Sequence, residues 1–263
     1  MSDTTWKTAV TEIKPNEIRL RGYRIDELMG EITFAQAVYL ALKGELPSPK
    51  IAKLLDAMLV SSIDHGPMAP SAYAARVSAS TGAPLNAAIG AGVLSINRYH
   101  GAAIADAMMV LLESIQRAKD KEMTFDEVAA SMISEYREQK KRIGGLGHRV
   151  HTDDPRTKKL FALAEECGVA GDGVKMIQAL HKHFLSQGKT LPINVDGAIA
   201  AVLVDLEIPP EIGNAFFIMA RVPGLVAQIH EEQTRERPMR KINPLDISYD
   251  GPEPRGIDSQ GRE

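Results

Sequence analysis

The sequence predicts an all-α protein with a short β-hairpin near its start, and three observations carry this prediction. Apolar residues recur at spacings of three and four along most of the chain, which is the period of an amphipathic helix. Gly and Pro separate these segments, as expected at helix ends. Hydrophobic residues make up 44% of the 263 residues, which is enough for the core of one large domain or two tightly packed ones.

The first half of the chain begins with the only predicted strands. Residues 8–23 alternate in polarity and break at Pro15, which predicts two short strands joined by a turn. The segments that follow predict the helices of a packed core: residues 33–44, 49–63, an Ala-rich stretch around Arg76, 84–99 and 101–119.

The second half of the chain continues the helical pattern around one glycine-rich loop. Thr124 and Glu127 have the spacing of a capping box, which predicts a helix start. The loop, GGLGHRVHTDDPR at residues 144–156, follows this helix, and its acidic pair Asp153–Asp154 is expected to cap the next one. Further helices are predicted at 155–167, 171–187, 196–207 and 210–235, with a kink at Pro223.

Charge and cysteine content exclude several classes of function. The net charge of −3 comes from 31 basic and 34 acidic residues that are spread evenly, so no basic surface for nucleic acid is expected. Cys167 is the only cysteine, which excludes an intrachain disulfide and predicts a small buried residue in a reducing compartment. No run reaches the roughly 18 uninterrupted apolar residues of a membrane span. The sequence therefore predicts a soluble, cytoplasmic protein with neither nucleic-acid nor membrane partners.

The glycine-rich loop has two interpretations when it is taken alone. Three glycines ahead of His148 let the backbone approach a ligand and leave N–H groups to meet it. The loop lacks the spacing of a dinucleotide or phosphate-binding glycine motif, so a nucleotide site of these kinds is not expected. The alternative is a flexible connector between helices that carries a surface histidine.

Polar side chains interrupt the apolar helices at five places: His65, Arg76, His100, Asp196 and Arg221. A buried charge without a partner is costly, so each must meet a counter-charge, a ligand or water. Each has a structural explanation when taken singly, such as a helix cap for Asp196 or an ion pair for Arg221. Together, histidines, a carboxylate and arginines describe a site for acid–base chemistry on a polycarboxylate.

Ordered motifs along nearly the whole chain resemble the citrate synthase superfamily. They are IRLRGYRIDEL with TFAQAVYLALKGELP, DHG with ARVSAST, HGAA, GLGHRVHTDDPR, INVDG and ARVPGLVAQIHEE. The chain is shorter than citrate synthases, and the shortfall lies between GELP and DHG, where a single helix is predicted. This compact form, with INVDGAI, DHGPMAPS and NPLDISY, is most similar to citryl-CoA lyases and the C-terminal citrate synthase-like module of ATP-citrate lyase.

The resemblance implies two helical domains and a homo-oligomer. A larger domain would comprise residues 1–101 and 215–263, and a smaller one, residues 102–214, would carry the glycine-rich loop, with the reacting cleft between them. Family members are at least dimers, so a homodimer or higher oligomer is expected, with the apolar helices at 84–119 as a contact face.

The resemblance also implies a reaction. Family members make or break the carbon–carbon bond between the methyl carbon of acetyl-CoA and the carbonyl carbon of a keto acid. In that chemistry His148 is general base in cleavage and general acid in condensation, and Asp196 exchanges a proton with the acetyl methyl. His100 stabilises the thioester enolate, as a neutral imidazole.

Binding residues follow from the same motifs. Arg156 and Arg221 match carboxylate-binding positions, where planar guanidinium groups suit carboxylates, and His65 is a further ligand. Arg237 is expected to reach the site of a neighbouring subunit. Coenzyme A, as part of the substrate, would run along the loop residues Ile143, Gly144, Gly145, Leu146, Gly147 and Arg149.

No metal is predicted. His151, His181, His183 and His230 receive no role from the sequence. His181 and His183 are two residues apart and face different ways on a helix, so they do not form a metal pair.

Three functions stay open, of which a lyase that splits citryl-CoA, or a close analogue such as citramalyl-CoA, leads. A compact citrate synthase, an acyltransferase that condenses acetyl-CoA with oxaloacetate, is the second; the short chain argues against it, because thioester hydrolysis depends on domain closure. A non-catalytic assembly module that binds CoA esters is the third, and the presence of all three catalytic-type residues argues against it.

Overall fold

The structure of the chain, a computed structural model, describes residues 6–101, 103–148 and 151–240. Arg149 and the NPLDISY motif lie outside the described residues. Within them the protein is mainly helical, which confirms the predicted fold class. The helices are α1 (Ile25–Leu28), α2 (Phe34–Lys43), α3 (Pro49–Ser61), α4 (Pro70–Ser80), α5 (Leu85–Leu94), α6 (Ala103–Asp120), α7 (Phe125–Glu138), α8 (Pro155–Glu166), α9 (Asp172–Ser186), α10 (Val195–Asp205) and α11 (Gly213–Arg235), and a 3₁₀ turn covers Pro210–Ile212.

A small antiparallel sheet precedes the helices, with strands β1 (Thr11–Lys14), β2 (Glu17–Leu20) and β3 (Tyr23–Arg24) in that spatial order. Asn16 takes a positive φ of 61° in the turn between β1 and β2, which confirms the predicted hairpin. Arg21 and Gly22, at φ of 49° and 90°, form a second turn. This turn adds β3, a strand that the polarity pattern does not predict.

Polar caps fix where several helices begin. Thr124 and Glu127 form the predicted capping box at the start of α7. Asp154 caps α8 by accepting the backbone N–H of Arg156 at 3.0 Å, as predicted for the acidic pair. Its neighbour Asp153 instead pairs with a lysine of the same helix.

The helix predicted over residues 84–99 is shorter in the structure, because α5 ends at Leu94. The Asn97 side chain donates to the Leu94 carbonyl at 2.7 Å, which satisfies an acceptor at the helix end. Asn97 and His100 then exchange two backbone hydrogen bonds of 3.0 and 2.7 Å. This tight turn places His100 between α5 and α6.

Helix α10 lies within the main hydrophobic core. Nearly all of its residues are buried, and it packs against α6, α8 and α9. A smaller cluster joins α4, α5 and the second half of α11 through residues such as Ala72, Ala88 and Leu225. Because α11 also contacts α3 and α6, it connects the two clusters. The predicted division into two domains stays a prediction.

Residues 210–235 are long and apolar enough to cross a membrane by length and composition alone. In the structure 44% of the apolar window is buried inside the protein, and Arg221, in mid-helix, is 1% exposed. A Cβ on Gly224 would lie 1.9 Å from the Ile63 carbonyl oxygen, so α11 packs directly against the backbone that follows α3. These contacts are those of a core helix. The helix continues through Pro223, whose kink stays a prediction.

Arg76 takes part in a buried ion-pair network. Its Nε donates to Glu232 Oε2 at 2.7 Å, and a terminal nitrogen donates to Gln228 Oε1 at 2.7 Å. Arg240 meets both Glu232 oxygens, at 2.6 and 2.8 Å. Arg76 is therefore a structural residue, one of the two interpretations that its sequence position allowed.

This network predicts unequal costs for removing its members. Replacing Glu232 by leucine should lower the free energy of unfolding by about 3–5 kcal/mol, because it leaves the buried Arg76 without its closest carboxylate. Arg76→Met should cost about 1 kcal/mol, because Glu232 keeps Arg240 as a partner. Urea denaturation measures both values, and equal losses would contradict the buried-charge argument.

Candidate active site

The glycine-rich loop is joined to the segment that precedes α10 by three hydrogen bonds. The N–H of Gly147 donates to the Pro192 carbonyl at 2.7 Å, and the N–H of Asn194 donates to the Gly145 carbonyl at 3.1 Å. The Asn194 side chain also donates to the Gly147 carbonyl at 2.7 Å. We name these three bonds the loop ladder. It brings together the GLGH and INVDG motifs, which are far apart in the sequence.

Glycines are required where the loop meets α10. Gly145 and Gly147 have positive φ values of 82° and 91°, a region that L side chains rarely adopt. A Cβ on Gly197 would lie 2.2 Å from the Gly145 carbonyl oxygen. The N–H groups of Gly144, Gly145 and Leu146 make no hydrogen bond to another described residue, so they keep their capacity to donate one.

Asp196 lies in the first turn of α10 but does not cap it. Asn194 takes the cap, accepting the N–H of Gly197 at 3.0 Å. Asp196 Oδ1 is buried and has no hydrogen-bond partner among the described residues. Burial raises the pKa of Asp196 to about 6, against the opposing charges of Arg156 and Arg221. The carboxyl group is therefore suited to giving and taking a proton near neutral pH.

His100 is held by Ser71, at the start of α4. The Ser71 backbone N–H donates to His100 Nε2 at 3.2 Å, and Ser71 Oγ lies 2.9 Å from the same nitrogen. An N–H group can only donate, so Nε2 is an acceptor and the neutral ring carries its proton on Nδ1. His100 is thus arranged as a neutral donor through Nδ1.

Arg221 is buried beside the same serine. Its Nε donates to the Ser62 carbonyl at 2.9 Å, and one terminal nitrogen donates to Ser71 Oγ at 3.2 Å. The guanidinium lies 4.7 Å from the centre of the Phe217 ring, and that ring meets His100 edge-on at 5.8 Å. Among the described residues no carboxylate lies within ion-pair distance of Arg221, so its charge is available to an anionic ligand.

Arg156 is fixed by its neighbour Asp154. Two of its nitrogens donate to the two oxygens of Asp154, at 3.0 and 2.8 Å, and the third donates to the Ser61 carbonyl at 3.3 Å. Burial alone would raise the pKa of Asp154, but the hydrogen bonds and charge of Arg156 outweigh it and lower that pKa. The guanidinium is therefore pre-oriented, and its charge reaches both Asp196 and His65.

Three imidazoles lie side by side next to these arginines. His148 stacks on His151 with ring centres 4.4 Å apart, and His65 lies 5.5 and 6.0 Å from them. One ring nitrogen from each lies within 4.8 Å of the other two. We call this group the histidine cluster. It includes His65 and His148, two of the three histidines that the sequence places near the substrate, and also His151, which the sequence does not place there.

Two imidazoles of the histidine cluster, His65 and His148, have lowered pKa values. Burial lowers the pKa of His148, and the charge of His151 lowers it further. Partial burial and the charges of Arg156 and Arg221 lower the pKa of His65. His148 Nδ1 accepts the backbone N–H of His151 at 2.9 Å, which places the proton of the neutral ring on Nε2.

The ring nitrogens of the histidine cluster are close enough together to bind one metal ion. Two features weigh against a metal. A histidine that binds a metal through Nε2 carries its proton on Nδ1, and that atom of His148 already accepts an N–H. Besides burial, the positive charges of Arg156 and Arg221 lower the pKa of His65, so they also disfavour a bound cation beside it. The absence of a metal stays a prediction.

The remaining predicted residues differ in how they are placed. Ile143 is buried behind the loop, and Arg237 is exposed just beyond α11, where contact with a neighbouring subunit stays a prediction. Cys167 is only half-buried, with its thiol 3.1 Å from the Lys50 carbonyl, because it lies at the exposed end of α8. His181 hydrogen-bonds the Leu191 carbonyl at 2.8 Å, which gives it a structural contact.

The sequence does not single out Ser71, Phe217 or His151. A serine or an apolar aromatic residue in a helix gives no local signal of contact with His100. His151 carries a weak one, since it follows His148 by three residues in a loop rich in charged side chains.

Comparison with known proteins places the chain among homologues. The family model for the citrate synthase C-terminal domain matches residues 47–242. Putative citrate synthase 2 of Mycobacterium tuberculosis is 31% identical over 221 residues, which cover 81% of this chain and 55% of that protein. The chain thus spans about half the length of the curated relatives it matches.

Two solved structures have closely similar folds. The citryl-CoA lyase of Hydrogenobacter thermophilus superimposes with a TM-score of 0.85 and 42% identity, covering 96% of this chain and 97% of that one. ATP citrate lyase of Methanosaeta concilii, solved in complex with (3S)-citryl-CoA, gives a TM-score of 0.80 over 96% of this chain and 43% of that chain. At 20% identity, the second likeness concerns the fold alone.

Proposed function

This chain belongs to the citrate synthase family, and from that premise we propose that it is a carbon–carbon lyase that cleaves citryl-CoA to acetyl-CoA and oxaloacetate. The observation that carries the proposal is the site itself. The loop ladder joins the segments of His148 and Asp196, and Ser71 links His100 to Arg221. The 42% identity to a citryl-CoA lyase of nearly the same length supports cleavage over condensation.

Cleavage requires that a tertiary alcohol lose its proton while the departing carbon becomes a thioester enolate. The Nδ1–H of His100 is suited to hydrogen-bond the enolate oxygen, and a neutral donor does so without fully protonating it. Asp196 then protonates the enolate carbon to give the methyl group of acetyl-CoA. Its raised pKa of about 6 leaves part of the carboxyl protonated near neutral pH.

His148 works on the alcohol oxygen in this proposal. The resemblance assigns it two roles, base in cleavage and acid in condensation. The hydrogen bond at Nδ1 places the proton of the neutral ring on Nε2, so His148 is suited to hydrogen-bond this oxygen in either direction.

In this proposal, fixed positive charges in the site bind the substrate carboxylates. After thioester formation citryl-CoA keeps two carboxylates, and Arg156 and Arg221 supply two pre-oriented guanidinium groups. We assign His65, beside Arg156, as a further ligand, with Arg237 of a neighbouring subunit completing the site. Citramalyl-CoA has one carboxylate fewer, so it leaves one of these cations unused and is the poorer substrate.

Coenzyme A runs along the glycine-rich loop in this proposal. The N–H groups of Gly144, Gly145 and Leu146, which meet no acceptor within the described ranges, support this path, since they suit carbonyl or phosphate oxygens. Arg149 adjoins the loop in sequence and is proposed to meet a CoA phosphate.

We also propose that the chain acts as a homodimer or higher oligomer. Around α5 and α6, Leu94, Tyr99 and Met109 are 79%, 89% and 61% exposed. Large exposed apolar side chains on neighbouring elements are typical of a contact surface.

A direct assay tests the reaction. Purified protein incubated with citryl-CoA should release acetyl-CoA and oxaloacetate in equal amounts, the latter measured by its reduction with NADH and malate dehydrogenase. Citramalyl-CoA should react with a lower kcat/KM. Incubation with acetyl-CoA and oxaloacetate is the counter-test: rapid release of free CoA would identify a synthase. The absence of turnover in both assays would favour the CoA-ester-binding module.

A further inference from the structure

One face of α11 holds the chain that connects α3 to α4. Three residues of this face, at spacings of three and four, contact three successive residues of the connection. The contacts run in the same order along both elements: Arg221 with Ser62, Gly224 with Ile63, and Gln228 with Asp64. The residue that follows these three in the connection is His65. The place of His65 relative to Arg221 therefore depends on how α11 holds the connection.

The contact next to His65 is the one between Gln228 and Asp64. Gln228 Nε2 donates to Asp64 Oδ2 at 3.0 Å, and the same oxygen accepts the backbone N–H of Gly66 at 3.1 Å. The second bond closes a turn around His65, of the kind that aspartate forms with the residue two positions later. Asp64 Oδ1 is buried and has no hydrogen-bond partner among the described residues. The bond from Gln228 therefore ties the turn that carries His65 to α11.

The two ends of the Gln228 amide have different partners, and this fixes the orientation of the amide. A guanidinium group can only donate, so the atom that meets Arg76 at 2.7 Å is the oxygen Oε1. The nitrogen Nε2 then faces Asp64 as a donor. One side chain thus joins the turn to the buried ion pair of Arg76 and Glu232. Substitutions can remove either end separately.

Asp64 also acts on Arg221 through its charge. Burial lowers the pKa of Arg221, and the negative charge of Asp64 opposes this change. Among the described residues no carboxylate lies within ion-pair distance of Arg221. Asp64 therefore stabilises the guanidinium charge without occupying the group.

We propose that Gln228 is a positioning residue for the recognition of substrate carboxylates: through Asp64 it fixes His65 relative to Arg221. Gln228 acts through the turn and does not touch the substrate. The inference rests on the proposed function, which assigns His65 and Arg221 to the carboxylates, and it adds the residue that sets their relative position. It concerns binding and not proton transfer.

Gln228→Glu tests the inference, because glutamate keeps the acceptor for Arg76 but replaces the donor to Asp64 by a second carboxylate oxygen. We expect the Kd of oxaloacetate and the KM of citryl-CoA to rise by about 5- to 30-fold, with kcat changed by less than about threefold. The Kd of coenzyme A, which lacks these carboxylates, should change by less than about twofold. Isothermal titration calorimetry and steady-state kinetics measure these values.

A second variant removes the donor without adding a charge. Gln228→Met keeps the length of the side chain but makes no hydrogen bond to Asp64. It should raise the Kd of oxaloacetate by about three- to tenfold, again with little change in the Kd of coenzyme A. This variant separates the loss of the hydrogen bond from repulsion between two carboxylates.

Two controls separate positioning from general damage. Arg76→Met removes the partner at the other end of the amide and leaves the bond to Asp64 in place. The Kd of oxaloacetate should then stay within about twofold of wild type, although the protein is less stable. Gln233→Glu makes the same change of charge at an exposed residue of α11 and should match wild type in both affinity and kcat.

A double-mutant cycle shows whether Gln228 acts through His65. His65→Ala alone should weaken oxaloacetate binding, because it removes a proposed ligand. Gln228→Met added to His65→Ala should weaken binding by less than about twofold further, because the residue that it positions is already gone.

Three results would overturn the inference. The first is a Kd of oxaloacetate within about twofold of wild type in both Gln228 variants. The second is equal weakening of oxaloacetate and coenzyme A binding, and the third is additive effects in the double-mutant cycle. A wild-type protein that binds oxaloacetate but does not cleave citryl-CoA would overturn the proposed function alone, since the affinities would still decide the inference. Absence of oxaloacetate binding by the wild type would overturn both.

Discussion

Replacing Asp196 by asparagine should lower kcat for citryl-CoA cleavage by about 10²- to 10⁴-fold, because the amide can neither give a proton to the enolate carbon nor recover one. Deuterium exchange into the methyl group of acetyl-CoA should fall by a similar factor, since the same carboxyl group handles that proton. KM should change little, because the arginines that we propose bind the substrate carboxylates are retained. Normal methyl exchange in Asp196→Asn would show that another group performs this step.

The same substitution should stabilise the folded protein. Burial raises the pKa of Asp196 from 3.8 to about 6, so folding favours the protonated form. Wild-type stability therefore declines as the pH rises from about 4 to 6, and above that window the charged form costs up to about 3 kcal/mol. Asparagine does not titrate, so the Tm difference between variant and wild type should grow from pH 4 to pH 7.

A second carboxylate provides the control for this stability effect. Asp205 accepts the backbone N–H groups of Gly171, Gly173 and Val174 at 2.8, 2.7 and 3.1 Å. Asp205→Asn should destabilise the protein by about 1–2 kcal/mol, because an amide offers a single acceptor oxygen. Destabilisation by both substitutions would contradict the assignment of Asp196 as a buried, unsatisfied group.

Gly197→Ala should cost about 3 kcal/mol or more of stability and should reduce cleavage at least as strongly as the loss of a proton-transfer group. The added Cβ would lie 2.2 Å from the Gly145 carbonyl oxygen and 2.9 Å from both its carbonyl carbon and its Cα. All three are backbone atoms, so no side chain can rotate away. The loop and α10 must separate, which displaces Asp196 and breaks the loop ladder.

Gly90→Ala is the matched control for this prediction. Gly90 lies within α5, and a Cβ there meets no atom within 4 Å. It should leave activity unchanged and stabilise the helix by roughly 0.5–1 kcal/mol, as alanine does in helix interiors. Chemical denaturation and steady-state kinetics measure both variants. If Gly197→Ala and Gly90→Ala had the same stability and activity, an added Cβ at Gly197 would not strain its contact with Gly145.

The sequence predicts those parts of the fold in which the interacting residues lie within one or two helical turns of each other. The capping box of Thr124 and Glu127 and the cap by Asp154 involve neighbouring residues, so their spacing identifies them. The sequence pattern does not predict the end of α5 at Leu94, because this end depends on the Asn97 side chain, which turns back to a helix carbonyl. The polarity pattern does not predict strand β3, because this strand depends on positive φ values at two successive residues, Arg21 and Gly22.

The sequence predicts the residue types of the site but not their surroundings. Asp196 looks like a helix cap from its position, yet Asn194 takes that role, and a buried oxygen of Asp196 has no partner in the part of the chain that the structure describes. That outcome depends on contact with Gly145, far earlier in the chain. The stacking of His151 on His148 likewise depends on how the loop folds. The polar residues of the loop do not indicate which way its backbone turns.

The loop ladder has a consequence for the timing of turnover. Its three hydrogen bonds cross-link the segments that carry His148 and Asp196, so the spacing between these two groups is conserved whenever either segment shifts. On the proposed function, where entry of a bulky thioester requires the site to open, we expect the two segments to move together, as one body, relative to His100 and Arg221. The slow motions of the catalytic cycle are accordingly expected at the boundary between these two halves of the site and not inside either half.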